Sequence, residues 1–313
     1  ELRVFAAGLM ETITGRLSQF EDSKSPLLVV PASEVRSQDA KTAADAKNKF
    51  RVTSVVEGTV QGQGDRIRLT LTLINADEMR QVETIVLDDQ RSNVLRLQDA
   101  AVTRLANVLN VRLQPKYARE QQEMSPIAPG AYEFYLQARG YLQRSDQLQS
   151  IESAITLLKR ALELDPKYAL AHSRLGEAYL YKFELTRDPK LVEVALKSGE
   201  QGMALNPNLA ETNISLGRIH LGTGRYEEAK RDFEKATSLD TRNNEAYQGL
   251  ANAYSKLNDD KRAEATYLRA IALRRGDWTS YKQLGFFYYQ RREYSKAMAQ
   301  YGPIQQSCRA QPG

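Results

Sequence analysis

The sequence predicts an α+β chain, in which a small α/β domain precedes an all-α solenoid of about five helix pairs. Two observations support this fold class. In the C-terminal part, a pattern of apolar and small residues recurs every 34 residues, a period typical of stacked helix pairs. The N-terminal part lacks this period and alternates helical stripes with strand-like stretches. The chain has 313 residues, 42% of them hydrophobic, which is enough for two units with cores of their own.

We predict that the N-terminal domain spans residues 1–113. Its first helix is indicated by apolar residues at helical spacing: Phe5, Leu9, Ile13, Leu17 and Phe20. The apolar run Leu27–Val30 lies between Pro26 and Pro31 and predicts a short buried strand. Residues 38–49 are rich in alanine and lysine and predict a second helix.

A hairpin and a third helix complete this domain. Val55–Gln61 and Asp65–Ile74 flank Gly62-Gln63-Gly64, which is a hairpin signal. In the second of these strands apolar and polar residues alternate, so one face of the sheet should be buried and the other wet. Gln81–Leu87 predicts a further strand. A last helical stripe follows, formed by Val94, Leu97, Ala101, Leu105 and Leu109. We therefore expect a mixed sheet packed with helices.

Residues 114–130 have a linker composition, with Pro115, Pro126, Pro129 and Gly130 among polar residues. We expect two separate units with limited relative freedom. A polar tail is predicted at residues 307–313.

The solenoid is predicted to span residues 131–306. Its units are predicted to open near Ala131, Ala169, Ala210, Asn244 and Trp278. The last three openings lie 34 residues apart, with apolar or aromatic residues at matching places. The first two units need short insertions near Ser145–Gln149 and Phe183–Pro189, which we place in the turns between paired helices. Neither helix of a pair can bury its stripe alone, so successive pairs should stack.

These units resemble the tetratricopeptide repeat family. Leu175-Gly176-Glu177-Ala178-Tyr179 and Ala161-Leu162-Glu163-Leu164-Asp165-Pro166 match the pattern of that family closely. The sequence departs from it at Gly199 and Gly202, and at Gly302-Pro303, which should break the last helix. The resemblance implies a solenoid whose first helices line a concave groove for a peptide or protein partner.

By this resemblance, the second, fifth, ninth and twelfth places of each unit face the groove. The residues predicted to bind the partner are Tyr132, Tyr135, Arg139, Glu177, Arg218, Asn252, Lys282, Phe286 and Tyr289. Ser173, Ile214 and Gln248 occupy further places of this kind. Aromatic anchors beside arginine, asparagine and lysine suit an extended peptide or a partner helix. The alternative interpretation is a groove that is only polar and wet.

The N-terminal domain resembles the amino-terminal domain of the TolB family. The residues that carry this resemblance are the opening helix with Gly8-Leu9, the strand Val55-Val56-Glu57-Gly58-Thr59-Val60, Arg66-Ile67-Arg68-Leu69 and Leu73-Ile74-Asn75-Ala76. Relatives of this kind often form the extracytoplasmic half of bacterial membrane-bound kinases, cyclases or winged-helix regulators. The resemblance implies a scaffold or sensor in an envelope signalling protein, periplasmic or otherwise extracytoplasmic. Because the chain begins with Glu1, we expect an excised or mature form, attached to a membrane only through an upstream anchor.

The sequence offers no convincing catalytic, cofactor or metal site, and we expect no enzyme. His172 and His220 stand on different units at places where side chains usually pack. Cys308 is the one cysteine and lies in the polar tail. Residues 1–130 contain neither histidine nor cysteine, which argues against a hydrolase in the α/β domain.

Net charge leaves one alternative open. Residues 261–313 hold ten basic and three acidic side chains, within a chain of formal charge +5. The alternative function is a cytoplasmic regulatory or nucleic-acid-associated module that uses this basic C-terminal third. The basic residues scatter around the helices, so we expect no nucleic-acid partner. The last repeat shows no polar capping helix, so either further units follow in the parent protein or another subunit covers this face; self-association there is our hypothesis.

Overall fold

The computed structural model of the chain describes residues 2–18, 20–21, 27, 29–113, 128–273 and 278–300. Most of the predicted linker, residues 114–127, lies outside the described residues. So do Gly302, Pro303 and the polar tail. Past residue 128 the described residues form helices joined by turns, with no strand among them. A sheet-bearing N-terminal region followed by helix pairs confirms the predicted fold class.

Helices and strands alternate in the N-terminal region. Its described helices are α1 (Leu2–Leu17), α2 (Ala32–Ser37), α3 (Ala43–Phe50) and α4 (Val94–Val108). Its strands are β1 (Phe20–Glu21), β2 (Ser54–Gln63), β3 (Arg66–Asn75), β4 (Arg80–Gln90) and β5 (Arg112–Leu113). The order in the main sheet is β2-β3-β4, and β1 pairs with β5. Every pairing among the described strands is antiparallel, whereas the sequence led us to expect a mixed sheet.

The predicted hairpin is present as β2 and β3. Gln63 pairs with Arg66, and Gly64 turns the chain with φ +57°, a conformation that favours glycine. The alternation on β3 is confirmed, because Ile67, Leu69, Leu71 and Leu73 are buried while the side chains between them reach solvent. The buried face shares a core with apolar residues of α1 and α4, which include Leu9, Ile13, Leu97 and Leu105.

One local prediction in this region is wrong, and one predicted helix begins later than expected. The strand expected at Leu27–Val30 is absent at its described residues 27, 29 and 30. Proline at both ends removes backbone donors, and the Leu27 amide instead donates to the Phe20 carbonyl at 3.2 Å. The helix expected at 38–49 begins later, at Ala43. Thr42 and Asp45 form a reciprocal capping box there, which sets the start of α3.

The repeat region consists of paired helices. They are α5 (Pro129–Leu142), α6 (Leu148–Leu164), α7 (Ala169–Thr186), α8 (Lys190–Leu205), α9 (Ala210–Gly222), α10 (Tyr226–Leu239), α11 (Asn244–Lys256), α12 (Asp260–Leu273) and α13 (Trp278–Gln290). Residues 294–300 are also helical. The first helices of units two to five begin at the predicted residues Ala169, Ala210, Asn244 and Trp278. Unit one begins two residues earlier than expected, because Pro129 suits the first helical turn.

The second unit differs most from the others. Its insertion lengthens α7, which has 18 residues, where α9 and α11 have 13 each. Arg187, with φ +59°, ends that helix. Gly202 lets α8 approach α7, since a Cβ there would lie 2.2 Å from the Ser173 hydroxyl oxygen. The glycines that depart from the family pattern therefore allow close packing.

The N-terminal region and the first units share one core. A Cβ built on Gly8 of α1 would lie 2.0 Å from the Leu136 carbonyl oxygen, and one on Gly140 of α5 would lie 2.0 Å from that of Val4. Only glycine allows two helices to lie this close. The buried cluster runs without a break from α1 and α4 into α5, α6 and α7. The structure thus differs from the two separate units that the linker composition suggested.

Candidate functional site

We define the first-helix face as the nine residues predicted to bind a partner, which lie on α5, α7, α9, α11 and α13. Side-chain contacts connect the later of these helices in order. Arg218 of α9 reaches Glu177 of α7 at 3.4 Å and also contacts Glu245 of α11. Gln248 of α11 donates to the Ser280 hydroxyl of α13 at 2.7 Å. The first helices of units two to five therefore form one connected surface.

The residues at the N-terminal end of this face are buried. Tyr132 and Tyr135 are 5% and 3% exposed. The Tyr132 hydroxyl donates to the side-chain oxygen of Gln98 on α4, and burial raises its pKa. The Tyr135 ring packs between Tyr132 and Tyr168, at centroid distances of 6.1 and 5.2 Å. The expectation that these tyrosines line an open groove is wrong, because both are buried, Tyr132 against Gln98 of the N-terminal region and Tyr135 between two tyrosine rings.

Arg139 also serves this junction. Its guanidinium donates to the Thr12 hydroxyl of α1 at 3.0 Å and lies 6.0 Å from the Tyr135 ring centroid. The side chain is half-buried. In this structure Arg139 therefore connects the first repeat to α1.

The N-terminal region also touches later units. The Arg242 guanidinium donates to the Ser18 carbonyl at 3.4 Å, and the Thr279 hydroxyl donates to the Glu34 carboxylate at 3.5 Å. Thr279 stands beside the first-helix face at the start of α13. The end of α1 and helix α2 therefore border this face along part of its length.

A buried ion cluster occupies the middle of the face. Glu177 is 1% exposed and accepts from Arg174 at 2.6 Å and from Arg218 at 3.4 Å. Burial by itself would raise the pKa of Glu177. Attraction to the two arginines, together with a hydrogen bond from Ser215, outweighs burial and lowers that pKa to about 2. Glu177 is therefore an ionised carboxylate at neutral pH, and its oxygens accept hydrogen bonds from groups of the protein itself.

Arg174 is the residue of this cluster that the sequence analysis missed. It lies outside the four places taken to face the groove. Its spacing of three residues from Glu177 on one helix was the available signal. The same attraction to Glu177 raises the pKa of Arg174, although burial opposes it.

The C-terminal end of the face is open. Phe286 and Tyr289 are 55% and 59% exposed, which is far from the usual state of large aromatic side chains. Lys282 is exposed beside them on α13, and Asn252 of α11 is half-buried. The Tyr289 ring lies edge-on to Tyr294 at 5.7 Å. Asn252, Lys282, Phe286 and Tyr289 are therefore the predicted residues that a partner could contact at this end of the face.

The two histidines have structural contacts. The His172 ring nitrogen Nε2 lies 2.9 Å from the Pro166 carbonyl oxygen, and His220 Nδ1 lies 2.6 Å from an Asp232 carboxylate oxygen. Within the described ranges, no three metal-binding side chains cluster. None of the helices described there has the length and apolar character needed to cross a bilayer. Cys308 lies outside these ranges.

Part of the basic charge near the C-terminus is already paired. Arg291 binds Asp260 at 2.6 Å, donates to the Ser255 carbonyl at 2.9 Å and lies 4.5 Å from the Phe287 ring centroid. Lys296 binds Glu293 at 2.6 Å. Such pairing reduces the charge available to a polyanion, and Arg291 also holds successive units together.

Comparison with protein families identifies the repeats. A model described as "TPR repeat" matches residues 147–182, and one described as "Tetratricopeptide repeat" matches residues 220–285. The helix pairs after residue 128 therefore include tetratricopeptide repeats, which act as protein–protein interaction scaffolds. Their presence indicates protein or peptide partners in general.

Curated relatives match about half of the chain. "Putative adenylate cyclase 3" of Rhizobium meliloti is 27% identical over 181 residues, covering 57% of this chain and 30% of the relative. The human "Antiviral innate immune response effector IFIT1" is 21% identical over 183 residues, covering 52% of this chain and 37% of the relative. The match thus spans only about a third of these relatives.

Two solved structures illustrate the similarity of the helix pairs. PilF of Pseudomonas aeruginosa has a TM-score of 0.46 at 24% identity and covers 57% of this chain and 76% of its own. PilW, described as a type IV pilus biogenesis factor, has a TM-score of 0.49 at 22% identity, covering 58% of this chain and 79% of its own.

Proposed function

We propose that the chain is a scaffold that binds a peptide or protein partner on the open, C-terminal half of the first-helix face. The observation that carries this proposal is the exposure of Phe286 and Tyr289, 55% and 59%, on helix α13 of a tetratricopeptide-repeat region. Exposed aromatic side chains are the commonest anchors of protein interfaces. Lys282 and Asn252 lie on the same face and supply polar contacts around these anchors.

The buried N-terminal half of the first-helix face also supports placing the partner on the C-terminal half. Tyr132 and Arg139 are engaged by the N-terminal region, Tyr135 is buried between two tyrosine rings, and Glu177 is engaged by two arginines. A partner would have to break these contacts to reach that half. Phe286 is already 55% exposed, so a partner that binds there avoids that reorganisation cost.

A peptide-display selection tests this proposal. The intact chain is used to select peptides from a random library, and the affinity of the selected peptides is measured by calorimetry. We expect the Asn252→Ala/Phe286→Ala variant to bind them at least about tenfold more weakly, as for loss of an aromatic anchor. The matched control is Leu268→Ala, which removes an exposed apolar side chain of a second helix, 48% exposed.

Two results would overturn the proposed site. One is a set of selected peptides whose affinity is unchanged in the Asn252→Ala/Phe286→Ala variant. The other is an equal loss of affinity in Leu268→Ala, which would show that binding follows general exposure of apolar surface.

We further propose that this scaffold belongs to the extracytoplasmic part of a bacterial envelope signalling protein. The support is the resemblance of residues 1–113 to the TolB amino-terminal family, together with similarity to a relative named as a putative adenylate cyclase. We assign no catalytic role to this chain. Fusion of alkaline phosphatase or a cytoplasmic fluorescent protein to the natural reading frame at residue 313 tests the setting. An active cytoplasmic reporter with an inactive phosphatase would contradict it.

The second candidate is the cytoplasmic, nucleic-acid-associated module suggested by residues 261–313, with ten basic and three acidic side chains. It predicts salt-sensitive retention on heparin that weakens in an Arg291→Glu/Arg292→Glu variant. Because Arg291 also pairs with Asp260, the single variant Arg292→Glu serves as the control for folding effects. Absence of retention at low salt would remove this candidate.

A further inference from the structure

Helix α2 connects the start of the repeat region with its last described unit. On one side Arg36 binds Glu11 of α1 at 3.1 Å, and the same carboxylate accepts from Gln143, which ends α5, at 3.4 Å. On the other side the Glu34 carboxylate accepts from the Thr279 hydroxyl of α13 at 3.5 Å. A helix of six residues therefore contacts both the α1–α5 pair and unit five.

The contact with α13 is made by a buried side chain. Glu34 is 7% exposed, whereas Arg36 on the same helix is exposed. Carboxylates are rarely buried to this extent unless they are paired or hydrogen-bonded. The second oxygen of Glu34 accepts from the Gln38 side chain at 3.4 Å. The contact between α2 and α13 therefore belongs to a packed interface and differs from two surface side chains that happen to meet.

The C-terminal end of α2 is fixed to the sheet-bearing region. Lys49 of α3 donates to the Gln38 carbonyl at 2.6 Å and to the Asp39 carbonyl at 3.3 Å. A lysine is favoured at this place, because the last carbonyls of a helix have no partner within it. Helix α3 leads directly into β2. We therefore expect a displacement of the sheet to move α2 with it.

The start of α13 determines the geometry of the partner site. Thr279 contacts α2, and the adjacent Ser280 accepts from Gln248 of α11 at 2.7 Å. Thr279 and Phe286 are seven residues apart on one side of the helix, a distance of about 10 Å along its axis. Asn252, the other residue of the site, lies on α11. The spacing of Asn252 and Phe286 therefore depends on how α13 is held against α11.

We propose that α2 is a strap that couples the N-terminal region to the partner site. Its contact at Thr279 holds α13 where Asn252 and Phe286 bind one partner together, and the inference rests on the proposed function of that site. Linked equilibria are reciprocal, so a partner that binds better when α2 is docked also stabilises the docked α2. The N-terminal region thereby adjusts the affinity of the scaffold without touching the partner.

Hydrogen exchange of the intact chain, followed by mass spectrometry, tests the docking of α2 before any partner is added. Glu34→Ala should raise the exchange of amides 282–286 in α13 about fivefold, which corresponds to a loss of about 1 kcal/mol. Exchange in α9 should stay unchanged. The matched control is Glu78→Ala, which removes a carboxylate from the β3–β4 hairpin, where the side chain is 57% exposed.

The affinity of peptides selected on the intact chain tests the coupling. Glu34→Ala should weaken their binding about fivefold, by the same loss of about 1 kcal/mol, although Glu34 lies outside the partner site. Adding Thr279→Val to Glu34→Ala should weaken binding no further, because both substitutions remove the same contact. In the unaltered chain, bound peptide should slow the exchange of amides in α2.

The strap is overturned if Glu34→Ala leaves exchange in α13 unchanged, or if it binds the peptides as well as Glu78→Ala does. An equal rise of exchange in α9 would also overturn it, because that result indicates general destabilisation. Peptides that bind independently of Asn252 and Phe286 would overturn the partner site and the coupling with it. The exchange of α13 without peptide would still show whether α2 holds that helix.

Discussion

Replacing Glu177 by glutamine removes one negative charge from the buried centre of the first-helix face. Glu177 is 1% exposed, and Arg174 and Arg218 lie 2.6 and 3.4 Å from it. Its pKa falls from 4.5 to about 2, which corresponds to roughly 3 kcal/mol of folding free energy at neutral pH. The arginine side chains keep 19% and 25% exposure and regain some hydration in the variant. We therefore expect Glu177→Gln to lower the free energy of unfolding by about 2 kcal/mol or more at pH 7.

The effect depends on pH with a defined sign. Because the folded-state pKa of Glu177 is lowered, its contribution to stability is fully present above the unfolded value of 4.5. It is lost as pH falls through the folded-state pKa of about 2, and only below that value is the carboxylate protonated in both states. The difference between the unaltered chain and Glu177→Gln should therefore shrink progressively as pH falls from about 5 toward about 2.

Urea unfolding followed by circular dichroism at several pH values measures this difference. Glu163→Gln is the matched control, because Glu163 is exposed on α6 and its loss should change stability by no more than about 0.5 kcal/mol at any pH. A loss below about 1 kcal/mol for Glu177→Gln at pH 7 would refute the reasoning. So would a loss of the same size at pH 7 and pH 3.

Two further substitutions test the packing. Gly140→Ala places a Cβ 2.0 Å from the Val4 carbonyl oxygen, so α1 must move off α5; we expect a loss of about 2 kcal/mol or more and a single unfolding transition for both regions. Two separate transitions in the unaltered chain would contradict the shared core. Tyr288→Phe removes the hydroxyl that donates to Glu264 at 2.7 Å, and thermal unfolding should show a loss of about 1 kcal/mol. No change would mean that this bond does not help to join units four and five.

The periodic features of this fold were predictable from the sequence, because each repeat unit packs against its neighbours in the same way. Ala210, Asn244 and Trp278 open helices as predicted, since the spacing of small and aromatic residues is fixed by helix stacking. The alternation on β3 was predictable for a similar reason. The differences have local reasons. The capping box at Thr42 sets a later start for α3, and the described residues 27, 29 and 30, which lie between two prolines in the sequence, form no strand.

The availability of the site residues was not predictable from the repeat pattern. Tyr132 and Tyr135 occupy groove places in the sequence, but Tyr132 is buried against Gln98, which lies 34 residues away, and both belong to a core cluster that includes residues of α1. A periodic sequence pattern reflects the packing between successive repeat units. It contains no information about a separate region that packs against the first unit. Gly8 and Gly140 were the available hint, since two helical glycines allow a close helix contact.

The first and the last described repeat units differ in how much of their outer surface is covered, and we expect a partner to bind at the less covered end. Each unit has a face that must be covered, and at the first unit α1 covers it through Gly8 and Gly140. At the last described unit Tyr294 and Met298 remain exposed, although the same positions in unit four accept hydrogen bonds from α13 and its turn. Burying apolar area stabilises association by roughly 25 cal/mol per Å². The exposed aromatic side chains at the C-terminal end can still be buried by a partner, whereas those at the N-terminal end are already buried in the folded chain. We therefore expect a protein partner to gain more free energy by binding near α13 than near α5.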